Sequence, residues 1–289
     1  MEKAVFVASA RHLPGIDQAY DRLYFGIEFC ERLIPTLEQL KQALAFARSR
    51  NLAFSLVTPY LTDSGLNKLK PLLGALDQRK SGDEVVINDW GVFNLLDREY
   101  PALIPVLGRL LTKQKRCPRL SRLLKRKAMF ALISASGESK NKRLVFQKKL
   151  PLELDPYYKG SNVSSVPVIH SFLSKNRINR IELDNLAQGL HLELPEGKLR
   201  ASVYFPYAYI STTFFCLSAG CDDPNPGFLK LRPCQKQCQK YLFTLKHKSM
   251  PKTIYLKGNT QFYKFSRFPL KQLQVLGVDR IVYQPNIPI

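Results

Sequence analysis

Six cysteines stand in this chain of 289 residues, and four of them have the spacing to grip one inorganic centre. Cys234-Gln-Lys-Gln-Cys238 is a C-x3-C pair that can hold a metal from a single short turn. Cys216 lies upstream of it, and a lone Cys30 follows the apolar run Leu23-Tyr24-Phe25-Gly26-Ile27. If the four converge they match a [4Fe–4S] cluster, each of whose irons needs one external ligand. Zinc accepts the same four thiolates in a tetrahedral shell, and buried thiols without any metal are a third reading. Cys221 sits in the Asp-Pro-rich stretch Asp222-Asp-Pro-Asn-Pro-Gly227, which makes it the spare thiol. Cys117 lies within a basic run and reads as a bystander.

Other residues able to do chemistry fall just after apolar, strand-like runs. Asp89 and Asp184 are candidate acid/base carboxylates, and capping a helix or pairing with Arg109 is the alternative. Thr58, Tyr60, Asn88 and Asn185 are candidate substrate-binding residues, with loop bracing as the alternative. His12, His170, His191 and His247 share no metal-ligand spacing. There is no G-x-S-x-G elbow and no H-E-x-x-H. Tyr204, Tyr207, Tyr209, Phe214 and Phe215 read as core around the cysteines, although aromatic rings also stack on bases.

The elements that must position these residues alternate between two periods. Short β-rich runs at 4–8, 22–26, 52–57, 84–87, 103–107, 180–183, 201–205 and 280–283 are candidate strands. Between them, Leu37, Leu40, Ala43, Leu44 and Ala47 make one helical face. Ser64 is placed to cap a helix carrying Leu66, Leu69 and Leu73, and 91–99 forms another helix. Eight strands alternating with helices predict an α/β fold, a (β/α)8 TIM-barrel-like single domain over 1–289. Two stretches exceed a simple βα unit: a basic insertion at 113–162 and a cysteine-bearing segment at 216–263, where 253–258 suggests an extra strand. Functional groups of such barrels gather at the C-terminal ends of the strands, which would bring Cys30 and the late cysteines to one rim.

The net charge of +21 is unevenly spread. Residues 1–112 balance at 13 basic and 13 acidic, 113–149 hold 13 basic residues against Glu138 alone, and 150–289 hold 18 against 9. A field that concentrated favours a polyanion, RNA first and an anionic membrane surface second. Lys113, Lys115, Arg116, Arg119, Arg122, Lys125, Arg126 and Lys127 are the candidate nucleic-acid-binding residues, although no RNA-binding module accompanies them. No apolar stretch approaches the roughly 20 residues a transmembrane helix needs, and the first apolar run is too short for a signal-peptide core. A cytoplasmic location follows as the expectation, where clustered cysteines bind metal more often than they form disulfides.

Several pieces together resemble a known family. They are Tyr24-Phe-Gly-Ile-Glu-Phe-Cys30, Glu84-Val-Val-Ile-Asn88-Asp89-Trp-Gly91 and Cys216-x17-Cys234-x3-Cys238. With them go Ser55-Leu-Val-Thr58-Pro59-Tyr60, Arg180-Ile-Glu-Leu-Asp184-Asn185 and Leu256-Lys-Gly258-Asn259. The set is similar to the collagenase-like peptidase family U-thirty-two, and within it to the iron–sulfur subfamily that includes the ubiquinone-biosynthesis proteins UbiU and UbiV. The resemblance implies a barrel and a [4Fe–4S] cluster on Cys30, Cys216, Cys234 and Cys238. It also implies oxygen-independent hydroxylation of an RNA base or a small aromatic, with prephenate as an oxygen source. Arg109 would then clamp a prephenate carboxylate with its two-pronged guanidinium. Pairing with a partner subunit of the same family is implied as well. That leaves room for a non-catalytic RNA- or protein-binding accessory subunit with a structural cluster, while peptidase activity is a further alternative. The basic insertion has no counterpart in that family.

Overall fold

The computed structural model describes the chain except residues 17–18, 126–128, 135–141, 148–151, 164–165, 196, 224–232 and 249. In chain order its strands are β1 (Glu2–Val7), β2 (Arg22–Gly26), β3 (Ala53–Val57), β4 (Glu84–Ile87) and β5 (Ile104–Leu107). Then follow β6 (Met129–Ser134), β7 (Lys142–Gln147), β8 (Arg180–Asp184), β9 (Arg200–Phe205) and β10 (Tyr207–Thr212). The last are β11 (Phe243–Leu245), β12 (Ile254–Lys257), β13 (Thr260–Lys264) and β14 (Val278–Tyr283).

Eight of these close into a parallel barrel in the order β1-β14-β9-β8-β5-β4-β3-β2. They are the eight runs expected from the sequence, so the (β/α)8 expectation holds. The seam between β5 and β8 is the thinnest, with one paired register position, Leu107 against Ile181. The basic insertion leaves the barrel there and returns through a helix at Pro167–Lys175. Within the insertion, β6 and β7 pair antiparallel.

Side chains alternate across each strand, as the pleat requires. Val5, Val7, Leu23, Phe25, Leu56, Val85, Ile87, Ile181, Leu183 and Val203 face outward into the main core under the helices. Ala4, Phe6, Tyr24, Val57, Val86, Val106, Tyr204 and Val282 fill the barrel interior. The helices are α1 (Leu37–Ser49), α2 (Asp63–Asp77) and α3 (Trp90–Glu99). Thr36 opens α1 with a full capping box to Gln39. Thr62, rather than the expected Ser64, caps α2, because its hydroxyl accepts from Gly65 N. Asp89 caps α3 by accepting from Gly91 N at 2.6 Å.

The remaining strands form a lid of a kind that the alternation of βα units does not foretell. β10 leaves β9 directly and joins an antiparallel sheet in the order β10-β13-β12-β11. The expected extra strand at 253–258 is present there as β12. This sheet sits over the C-terminal mouth of the barrel. Phe29, Leu110, Tyr209, Cys238, Phe262 and Ile289 pack into one buried cluster between the two. Among the described residues no helix is long and apolar enough to cross a membrane.

Candidate functional site

The rim beneath this sheet brings the two ends of the chain together. Gly26 ends β2 at φ +129°, a backbone that a side chain rarely adopts, and a Cβ there would stand 2.3 Å from the carbonyl oxygen of Val57. The chain can therefore lie flat against β3 as it carries Phe29 and Cys30 to the rim. From the far end, the β12–β13 turn presents Gly258 at φ +63°, with its Cβ position 3.3 Å from Cβ of Cys238. Its neighbour Asn259 is buried. Its Nδ2 stands 2.6 Å from the carbonyl of Phe29, 2.7 Å from the carbonyl of Thr213 and 2.8 Å from Oη of Tyr60. One amide thus ties the residue before Cys30 to the segment leading into Cys216, beside the turn that packs on Cys238.

Cys30, Cys216 and Cys234 are half-buried, Cys238 is buried and none forms a disulfide. Burial pushes the Cys30 thiol up to about 11, and Cys238, Cys216 and Cys234 lie near enough to add to that rise. Cys238 is likewise raised, first by burial and then by Cys216 and Cys234. Cys221 is exposed, and Cys117 lies elsewhere, accepting from Nε of Arg119 at 3.3 Å. The four thiols share one neighbourhood of soft donors. Yet among the described residues no three or more His, Cys, Asp or Glu side chains are gathered tightly enough to hold a single metal ion.

The candidate catalytic residues go to a different place. Arg109 is wholly buried and lies between two carboxylates. It grips Glu28 with Nε and Nη2, and its Nη1 donates to Oδ1 of Asp184 at 2.7 Å. Arg116 donates to the other oxygen, Oδ2, at 2.6 Å, and stacks over the Tyr209 ring at 4.0 Å. The neighbouring carboxylates hold the Arg109 guanidinium protonated against the pull of burial. A fully paired, solvent-free arginine has no free edge for a substrate carboxylate. Asp89 serves as a helix cap and also accepts from Leu61 N.

The candidate substrate residues brace loops. Thr58 donates to the carbonyl of Val86, and Asn88 links the carbonyl of Thr58 to the amide of Leu110. Asn185 donates to the carbonyl of Arg267, and Tyr60 to the carbonyl of Thr213 at 2.6 Å. Tyr204 and Tyr209 are core, as expected, whereas Phe214 and Phe215 are exposed. Asn259 was the residue that sequence reasoning did not single out as part of a site. A buried Asn beside a turn glycine was the available signal.

The basic run is divided by the fold. Arg116 is committed to Asp184 and Lys115 lies over the Tyr157 ring, while Lys113, Arg119, Arg122 and Lys125 are exposed. Arg126 and Lys127 lie outside the described residues.

No family model matches the chain, and no curated protein does either. Solved structures similar to it include a glycoside hydrolase family 18 N-acetylglucosaminidase from Paenibacillus barengoltzii, at 9% identity and TM-score 0.37, covering 98% of this chain and 94% of that one. Another is YKL-39 crystallised with chitooligosaccharides, at 9% identity and TM-score 0.36 over 98% and 92%. A third is an immunomodulatory chitinase from Trichuris suis, at 8% identity and TM-score 0.34 over 98% and 91%. At such scores these likenesses carry no argument about activity. No family model or curated protein supports the U-thirty-two family, and the similar structures are of another kind, so the resemblance drawn from the motifs is corrected. The iron–sulfur hydroxylase built on it falls too, with its accessory-subunit and peptidase alternatives, since the described residues also hold no ready-made metal group.

Proposed function

We propose that Cys30, Cys216, Cys234 and Cys238 hold one inorganic centre at the barrel rim, a [4Fe–4S] cluster. The observation that carries the reading is the bracing by Asn259, which joins the backbone beside Cys30 to the segment entering Cys216. The donor set suits the group, because soft thiolates select iron–sulfur clusters and zinc. A cluster would take one of the four thiolates on each of its irons. Such a cluster would supply electron transfer or a rigid cross-link between the lid and the rim. The residues present would hold it, shield it with Phe29 and Phe262, and keep Cys238 dry.

Anaerobic purification, an absorption spectrum and iron and sulfide assays test this. A brown protein with about four irons and four sulfides supports it. A colourless protein with stoichiometric zinc, or with no metal after reconstitution, overturns it.

A second reading concerns polyanions, and rests on the exposed Lys113, Arg119, Arg122 and Lys125. Clustered cations with no ion-pair partner among the described residues favour RNA through release of its counterions.

A further inference from the structure

A cavity of about 510 Å³ opens on the same rim, between the end of β1, the start of α1 and the last residues of the chain. Its size falls within the roughly 300–1,000 Å³ usual for small-molecule sites. None of the residues assigned above to the cysteine centre or to the Arg109 cluster lines it.

Its lining has two characters. Phe6, Ile27, Leu33 and Ile287 give it apolar walls, while Arg11, His12 and Lys236 bring basic groups to it. No Asp or Glu side chain is among the described residues that line it. The Arg11 guanidinium donates to Oε1 of Gln239 at 3.1 Å and to Nε2 of His12 at 3.3 Å. Both acceptors are neutral, and neither Arg11 nor Lys236 has a carboxylate partner among the described residues. Elsewhere in this molecule, arginines that line an interior are neutralised: Arg109, Arg116, Arg180 and Arg280 each meet a carboxylate at 2.7 Å or less. Arg11 is instead exposed at the cavity and meets no carboxylate among the described residues. Burial, Arg11 and Lys257 together push the neighbouring His12 imidazole below its ordinary value. A hydrogen bond from a guanidinium to an anionic acceptor is stronger than one between neutral groups.

We propose that this cavity is a binding site for a small organic anion, a carboxylate or phosphate monoester on an apolar body. Its charged end meets Arg11 and Lys236, and its body lies on Phe6, Ile27 and Ile287. The exposed side of the cavity admits it from solvent, and Gln42 and Asn286 supply neutral hydrogen-bonding groups beside the charge. Lys236 reaches the cavity from the turn between Cys234 and Cys238, whereas Arg11 lies outside that turn.

Isothermal titration of the full-length protein with phenyl phosphate and with benzoate tests the proposal, with benzyl alcohol as the uncharged probe of similar size. At least one anion should bind, and benzyl alcohol should bind about tenfold or more weakly. Arg11→Gln should weaken the anion about tenfold, which is the loss of about 1.4 kcal/mol. It should leave metal content and thermal midpoint unchanged, because the side chain is exposed and makes no ion pair. Lys236→Gln, read together with its metal content because Lys236 lies in the Cys234–Cys238 turn, gives a second check on the charge. Gln42→Trp, which fills the mouth, should abolish binding of both anions. Failure of both anions at millimolar concentration, or equal binding by benzyl alcohol, overturns the proposal. So does undiminished anion binding in Arg11→Gln and Lys236→Gln alike.

Discussion

Nδ2 of Asn259 stands 2.6 Å from the backbone carbonyl of Phe29, 230 residues away in the chain. The same nitrogen reaches Thr213 and Tyr60, so one side chain sets the distance between the Cys30 loop and the Cys216 segment. Asn259→Ala removes no sulfur, yet leaves the two buried carbonyls without their donor. Iron bound per chain after reconstitution should fall to half or less, with a stability loss of about 1–3 kcal/mol. Asn259→Asp should not rescue, since a carboxylate cannot donate to carbonyl oxygens. Full cluster content in Asn259→Ala would show that the bracing is irrelevant to the centre.

The six cysteines should divide into four and two. Serine at Cys30, Cys216, Cys234 or Cys238 is expected to lower bound iron to a small fraction of wild type. Cys117→Ser and Cys221→Ser should retain it, since Cys117 lies beside Arg119 and Cys221 is exposed. Parallel iron assays on the six variants decide the matter, and a requirement for Cys221 in place of Cys216 would redraw the site.

Arg109 should behave as a structural cation. Arg109→Met leaves Glu28 and Asp184 buried without their shared partner, which costs about 3–5 kcal/mol. Urea unfolding measures it. Arg109→Lys should recover little, because one ammonium cannot reproduce the fork that spans both carboxylates. Near-wild-type stability in Arg109→Met would mean that the arginine is held for another purpose.

Glu182 gives the barrel interior a pH dependence of definite sign. Burial pushes its carboxyl up to about 7 despite the nearby Arg280 and Arg180. The unfolded chain ionises this group near its ordinary value, so between about pH 4.5 and 7 the unfolded state binds fewer protons. Glu182 therefore lowers stability as pH rises through that window, by at most about 3 kcal/mol, and adds no further change above it. Glu182→Gln should gain on wild type by that amount between pH 4.5 and 8 in denaturant titrations. A difference that stays flat with pH would refute the assignment.

Loss of charge at Arg119, Arg122 and Lys125 together should weaken retention on an RNA or heparin column and reduce its salt dependence, without altering the unfolding midpoint. Arg116→Gln should do the reverse, since its guanidinium is buried against Asp184. Equal retention of the triple variant and wild type would locate any polyanion contact elsewhere.

The sequence by itself determined the barrel. Runs such as Leu23-Tyr24-Phe25 and Ile181-Glu182-Leu183 alternate because one side must meet helices and the other the narrow interior, and that period is written in local residue order. It also marked the cysteines, since spacing within a turn is local information. Tertiary structure alone decided what became of the charges. By sequence Asp184 is either a free acid/base carboxylate or a partner of Arg109; the closed sheet buries the two against each other, and Arg116 leaves the basic run for the same reason. Only the fold could set Asn259 beside Phe29, or leave Arg11 facing a cavity without a carboxylate. Such pairings depend on which strands are neighbours across the barrel, and no stretch of chain shorter than the whole carries that.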